Sequence, residues 1–154
     1  MKRLGDKYRT ALVTGGTSGL GLAFCELLVN EGVETFSASR HPSKLPPISG
    51  LHGLELDLKD LSSVVDFARS FTDENGVPDL LINNAGYGAF FDWDRFPEEE
   101  IDGQLDVMLK APVILSRIFA PIMAEKGAGG IVNVSSLAVQ FPLPLLPLYN
   151  AAKA

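Results

Sequence analysis

Residues 10–21 read Thr-Ala-Leu-Val-Thr-Gly-Gly-Thr-Ser-Gly-Leu-Gly. Thr10 to Gly16 is a β-branched and apolar segment ending in glycine, the pattern of a buried strand. From Ser18 to Asn30, Leu20, Ala23, Phe24, Leu27 and Leu28 recur at helical spacing, with Ser18 as N-cap and Gly32 as the stop. Gly15, Gly19 and Gly21 therefore fall in a strand–turn–helix context. There they suit a tight turn, close approach of the backbone to a pyrophosphate, and close packing of helix on strand. The helix N-terminus offers free N–H groups and the positive end of its dipole to an anion. This context favours a dinucleotide site over a plain structural turn, and the missing Gly-Lys-Ser/Thr argues against a P-loop.

Outward from that turn, strands and helices alternate. Glu34 to Ser39 is predicted as a second strand, and His41 to Gly50, with Pro42, Pro46 and Pro47, as a loop. Leu54 to Leu58 reads as a third strand. Asp60 to Glu74 is an amphipathic helix built on Leu61, Val64, Val65, Ala68 and Phe71, ended by Asn75-Gly76 and barred from continuing by Pro78. Asp79 to Asn83 is a fourth strand running into Asn84-Ala85-Gly86. Glu98 to Lys126 is a long helical stretch. Pro112 and Pro121 fall inside it and predict kinks or a break. Gly127 to Gly130 closes it, and Ile131 to Val134 is a fifth strand delivering Ser135-Ser136. Leu137 to Leu148 is a loop rich in Pro and Leu. Its formal PxxP, Pro144 to Pro147, reads as loop wall rather than as an SH3 ligand. Tyr149 begins a last helix. Such alternation with short connections is the pattern of a parallel sheet with helices on both faces. No internal repeat or interdomain linker is visible: residues 1–8 form a short polar arm, and 9–154 one dinucleotide-binding domain.

Composition narrows the function. At 154 residues and 46% hydrophobic, the chain is long and apolar enough to be globular rather than disordered. A net charge of −6 without a basic stripe argues against nucleic acid and anionic membranes as partners. The apolar runs read as too short for a membrane span. A single cysteine, Cys25, excludes an intramolecular disulfide and fits a reducing, cytoplasmic setting. Lying in an apolar helical run, it reads as a buried structural thiol. His41 and His52 lack metal-ligand spacing, so no metal is expected.

Two constellations carry chemistry. Tyr149 and Lys153 stand at i, i+4 on one helix face, where the ammonium favours the phenolate and the two make an acid–base pair. Arg40 ends the second strand, nineteen residues past Gly21. In a dinucleotide fold that position faces the adenosine ribose, and an Arg there pairs with a 2′-phosphate. Ser39-Arg40 thus favours NADP(H), with NAD(H) as the alternative cofactor. The plain alternative for Arg40 is an exposed side chain at a strand end.

Taken in order, Thr14-Gly15-x-x-x-Gly19-x-Gly21, Asp57, Asn83-Asn84-Ala85-Gly86, Ser136, Tyr149 and Lys153 resemble the motifs of the compact short-chain dehydrogenases/reductases, over about residues 9–154. The resemblance implies a three-layer α/β fold, a Rossmann-like doubly wound parallel sheet lacking the family's C-terminal strands and helices. It implies an oxidoreductase transferring a hydride between NADP(H) and a small-molecule carbonyl/alcohol substrate, working as a homo-oligomer. Tyr149 would exchange the proton and Ser136 would orient the substrate oxygen. Ser136 stands thirteen residues before Tyr149, the family's usual separation, whereas Ser135 gives fourteen. Lys153 would bind the nicotinamide ribose. Gly15, Thr17, Ser18, Gly19, Leu20 and Gly21 would form the pyrophosphate turn. Ser39 and Arg40 would meet the adenosine ribose, and Asp57 and Leu58 would border the adenine. Asn84, Ala85 and Gly86 would line the cofactor ribose. Asp57 equally suits a turn or helix N-terminal acid.

The chain departs from the family pattern twice. Met108 stands twenty-four residues past Asn84, where the family usually has an Asn that holds a water in a proton relay to the lysine. A thioether is a poor replacement, being only a weak acceptor, although Pro112 could open the helix nearby. The chain also ends at Ala154, within the helix that carries Tyr149, so the fifth strand is expected to be an exposed edge and the isolated chain marginal or self-associated. These departures favour the alternative of a non-catalytic or impaired protein that binds a dinucleotide or a partner subunit, or else a fragment. The remaining substrate wall, Tyr87 to Trp93 and Phe141 to Leu148, is apolar and aromatic, which suits a hydrophobic substrate, an interface or core alike.

Overall fold

Alternation along the central strands organises the chain: Leu12 and Leu81 face one side, and Ala11, Val13, Leu80 and Ile82 the other. The computed structural model describes residues 3–154. Five parallel strands, β1 (Thr10–Thr14), β2 (Glu34–Ser39), β3 (Leu51–Glu55), β4 (Leu80–Asn83) and β5 (Gly130–Asn133), form one sheet in the order β3-β2-β1-β4-β5. The helices are α1 (Gly19–Asn30), α2 (Leu61–Asn75), α3 (Glu98–Leu105), α4 (Ala111–Glu125) and α5 (Pro147–Lys153). This is the expected doubly wound, Rossmann-like α/β sheet. Strand order reverses between β1 and β4, which opens a crevice at the carboxyl ends of those strands.

The larger cluster packs Leu12, Ala38 and Leu81 against Val64, Ala68 and Phe71 of α2 and Leu115 and Phe119 of α4. Phe71 meets Phe36 and Phe119 edge-on, at centroid distances of 5.1 and 6.3 Å. On the other face, Ala11, Val13, Leu80 and Ile82 pack on Cys25 and Leu28 of α1. Burial pushes the Cys25 thiol up to about 11, so it stays protonated and unreactive. Among the described residues β5 is the last strand of the sheet, and Val132 on it is 43% exposed.

Several boundaries differ from the sequence reading, each for a local reason. β3 begins at Leu51, not Leu54, because its ladder is set by β2, from Thr35↔Leu51 to Ser39↔Glu55. Leu56 and Leu58 lie past the ladder and are apolar because the turn into α2 buries them. Asp60 caps α2, its carboxylate accepting from the Ser62 and Ser63 amides at 3.1 Å each. The loop after β2 contains a 3₁₀ turn, Pro42–Lys44. α5 starts at Pro147, two residues before Tyr149, with the proline in the first turn where no N–H is needed.

The long helical stretch does not break at its prolines. α3 passes through a π-helical turn, Asp106–Lys110, into α4, and the Ala111 amide donates to the Asp106 carbonyl five residues back. Pro112 has no N–H for the carbonyl four residues before it, and the widened turn lies directly ahead of it. Pro121 sits inside α4 without ending it. By length and composition alone the 28 residues Glu98–Glu125 could cross a membrane, a test that the core helix of a globular protein also passes. In this fold Ala111, Leu115, Phe119 and Met123 pack them onto the sheet.

Met1 and Lys2 of the expected arm lie outside the described residues. The rest of it is docked on the end of α1. The Leu4 amide donates to Glu31 Oε2 at 3.2 Å, the Gly5 amide to the Glu31 carbonyl at 3.1 Å, and Tyr8 packs on the α1-side cluster.

Candidate active site

At the switch between β1 and β4, Thr14 is the hub. Its Oγ1 accepts from the Asn84 and Ala85 amides, both at 3.1 Å. Asn84 Nδ2 donates back to the Thr14 carbonyl at 3.0 Å, and the Gly15 amide donates to the Ala38 carbonyl at 2.8 Å. These bonds fix the glycine turn against the ends of β2 and β4. Gly15 and Gly19 have φ of 71° and 54°, so the turn runs through left-handed backbone. Gly21 is required by proximity instead. A Cβ there would lie 2.2 Å from the Gly15 carbonyl oxygen and 2.5 Å from Asn84 Nδ2.

Above the turn lies a cleft of about 850 Å³. The residues lining it include every residue that the sequence reading assigned to the cofactor. Gly15, Thr17, Ser18, Gly19, Leu20 and Gly21 line one end, Ser39, Arg40, Asp57 and Leu58 the next part, and Asn84, Ala85, Gly86, Tyr149 and Lys153 the other side. The reading missed His41, Lys44, Lys59 and Glu100, which line the same space, as does Tyr87, which it placed in the substrate wall. Lys44 comes in on the 3₁₀ turn hidden in the predicted loop, and Lys59 directly follows the Asp57-Leu58 pair. Lys59 Nζ stands 5.0 Å from the Tyr87 ring centroid, a cation–π distance. In a chain of net charge −6, this cleft gathers Arg40, Lys44, Lys59 and Lys153 against only Asp57 and Glu100.

Ser136 is placed differently. It lines a second, adjoining cleft of about 680 Å³, together with Tyr149, Gly86 and Tyr87, and its Oγ accepts from the Ala138 amide at 3.2 Å. Tyr149 thus stands in the wall between the two clefts, with Lys153 on one side and Ser136 on the other. Ser135 Oγ donates to the Lys153 carbonyl at 2.7 Å, so it ties down the helix and is not at the second cleft.

Lys153 Nζ donates to the Val134 carbonyl at 2.9 Å, and burial holds its pKa below the usual lysine value. Met108 is buried beside it. A Cβ on Gly86 would lie 3.0 Å from Lys153 Nζ and 3.2 Å from Met108 Sδ, so both side chains crowd against that glycine. The π turn therefore delivers a thioether to the lysine's flank, where it can neither donate to a water nor hold one strongly. Met108→Asn is expected to raise turnover several-fold by supplying a polar group there. An unchanged rate in single-turnover assays would remove that idea.

The sequence profile of the short chain dehydrogenase family matches residues 9–154, and the chain belongs to that family. An uncharacterized oxidoreductase of Schizosaccharomyces pombe is 33% identical over 148 residues, covering 95% of this chain and 51% of the relative. A probable NADP-dependent dehydrogenase of Haemophilus influenzae is 30% identical, covering 96% of this chain and 61% of the relative. The chain thus spans about half to three-fifths of the length of these relatives. Among solved structures, a metagenomic short-chain oxidoreductase in complex with NADP superposes with a TM-score of 0.88 at 32% identity, over 94% of this chain and 69% of that one.

Proposed function

We propose that the chain is the nucleotide-binding and proton-transferring part of an NADP(H)-dependent oxidoreductase that interconverts a carbonyl compound and its alcohol. The observation that carries this reading is the position of Tyr149 between two clefts. One holds the glycine turn, Arg40 and Lys153, and the other holds Ser136. The first cleft fits a dinucleotide on its own terms: a Cβ at Gly19 would meet nothing within 4 Å, so the backbone of the turn is open to a ligand, and the cations gather at a site for phosphates. When bound, the nicotinamide supplies or accepts the hydride. The Tyr149 hydroxyl gives its proton to the carbonyl oxygen as negative charge develops there, and takes it back in the reverse direction. The Ser136 hydroxyl donates a hydrogen bond to the same oxygen and fixes its orientation. The Lys153 ammonium offsets charge on the phenolate left behind.

A second reading, a dinucleotide-binding protein without turnover, is favoured by one feature: the Lys153 ammonium is engaged by the Val134 carbonyl with Met108 at its flank. Fluorescence titration with NADPH and NADH, followed by a carbonyl panel, separates the two. NADPH is expected to bind more tightly than NADH. Arg40→Asp should weaken NADPH by about 10–100-fold, the loss of one charge-assisted contact of about 1.5–3 kcal/mol, and leave NADH little changed. NADPH affinity unaffected by Arg40→Asp would show that the 2′-phosphate is not read there. Binding without turnover on any carbonyl would favour the second reading.

A further inference from the structure

The second cleft differs from the first in what its walls are made of. Besides Ser136, Tyr149 and the Gly86 to Gly88 segment, its lining is Phe90, Leu137, Ala138, Phe141, Leu143 and Leu146. Among the described residues no charged side chain lines it, although 32 of the chain's residues are charged, 13 basic and 19 acidic. The charges collect in the neighbouring cleft, and Lys153, one turn from Tyr149, lines that cleft and donates to the Val134 carbonyl. The floor is buried, with Ala138 at 7% and Leu146 at 6% exposure, while the rim residues Leu137 and Phe141 stand 76% and 72% exposed. Among the lining side chains only Ser136, Tyr149 and Tyr87 carry a hydroxyl. The space is therefore a wide apolar trough with one hydrogen-bonding end.

We propose that this trough binds the body of the substrate and that the substrate is an uncharged ketone or aldehyde carrying an aryl or branched alkyl group. This rests on the proposed oxidoreductase reading and adds the substrate's chemical class. The volume, about 680 Å³, suits a small molecule of that kind. The carbonyl oxygen lies at Ser136 and Tyr149, and the apolar body covers Leu146 and Leu143 and meets Phe141 and Phe90 at the rim, removing exposed apolar surface from water. A carboxylate or phosphate in the same place would lose hydration and find no cation to replace it. Keto acids and phosphorylated sugars are thereby rejected.

Ligand-detected NMR on the NADPH-loaded chain tests this, with acetophenone against pyruvate and dihydroxyacetone phosphate. Acetophenone is expected to bind about tenfold or more tightly than either anion. Phe141→Asp and Leu143→Asp change exposed positions, so the fold should hold, as an unchanged NADPH titration would verify. Each should weaken acetophenone by about tenfold or more. Phe141→Arg should in turn improve pyruvate. Equal or tighter binding of pyruvate to the unaltered chain, no binding of acetophenone, or indifference to all three substitutions would each overturn the proposal. So would sedimentation showing a second copy seated on the trough and released by Phe141→Asp. The two readings fail separately. Absent NADPH binding removes the cofactor reading, whereas the acetophenone-to-pyruvate ratio can be measured with or without cofactor and decides the trough by itself.

Discussion

Tyr149→Phe is expected to lower carbonyl turnover by about 10²–10⁴-fold, the range for a positioned general acid, while NADPH binding is left intact. The phenyl ring keeps the packing that Tyr149 makes against the larger core cluster, so the fold should be unaffected. Only the proton donor is lost. The residual rate should come from Ser136 and from holding the reactants together. Turnover within a few-fold of the unaltered chain would show that the proton comes from elsewhere and would remove Tyr149 from the mechanism. The control is thermal melting, which should be unchanged.

Gly21→Val has the second large effect, and it acts at the other end of the site. Its Cβ would be placed 2.2 Å from the Gly15 carbonyl oxygen and 2.5 Å from Asn84 Nδ2, contacts that no rotamer relieves. Either α1 moves off the turn or the turn opens from β4. Both separate the helix N-terminus from the place where the pyrophosphate would lie. NADPH affinity should fall by at least about 100-fold, and stability by about 1–3 kcal/mol, as for other overpacked sites. Wild-type NADPH affinity in a folded Gly21→Val chain would mean that the dinucleotide does not bind at this turn.

The parts of this molecule that were legible in its sequence share a physical property: their pattern is local. The β1 turn, the α2 stripe from Leu61 to Phe71 and the i, i+4 pair Tyr149/Lys153 each carry their information within a few residues, so they could be placed directly. The residues given to the cofactor on the strength of the motifs all line one cleft because strand ends in a doubly wound sheet converge at one edge. The less legible features depend on distant partners. β3 is delimited by the length of β2, not by its own leucines, and His52 and Gly53, poor strand residues, were passed over for Leu56 and Leu58. The π turn arises from Pro112 acting on carbonyls behind it, which a helical stripe cannot show. Lys44 and Lys59 are exposed charges in turns and Glu100 a half-buried one in the first turn of α3, ordinary until the fold brings them to one space. Ser136 stands with Tyr149 only in the second cleft, a division that spacing along the chain does not contain.

The sheet's two faces are unequally covered, and the inequality bears on how long the protein survives. Among the described residues α2 and α4 cover one side, whereas α1, with Tyr8 of the docked arm, covers Ala11, Val13, Leu80 and Ile82. Regions with fewer buried contacts open more often, exposing backbone to proteases long before global unfolding. Because the glycine turn leads straight into α1, an anion held there is bound only while α1 is docked. Mass action then favours the docked population as nucleotide concentration rises. On the proposed reading, a nucleotide held at this turn would thereby also protect the polypeptide from proteolysis.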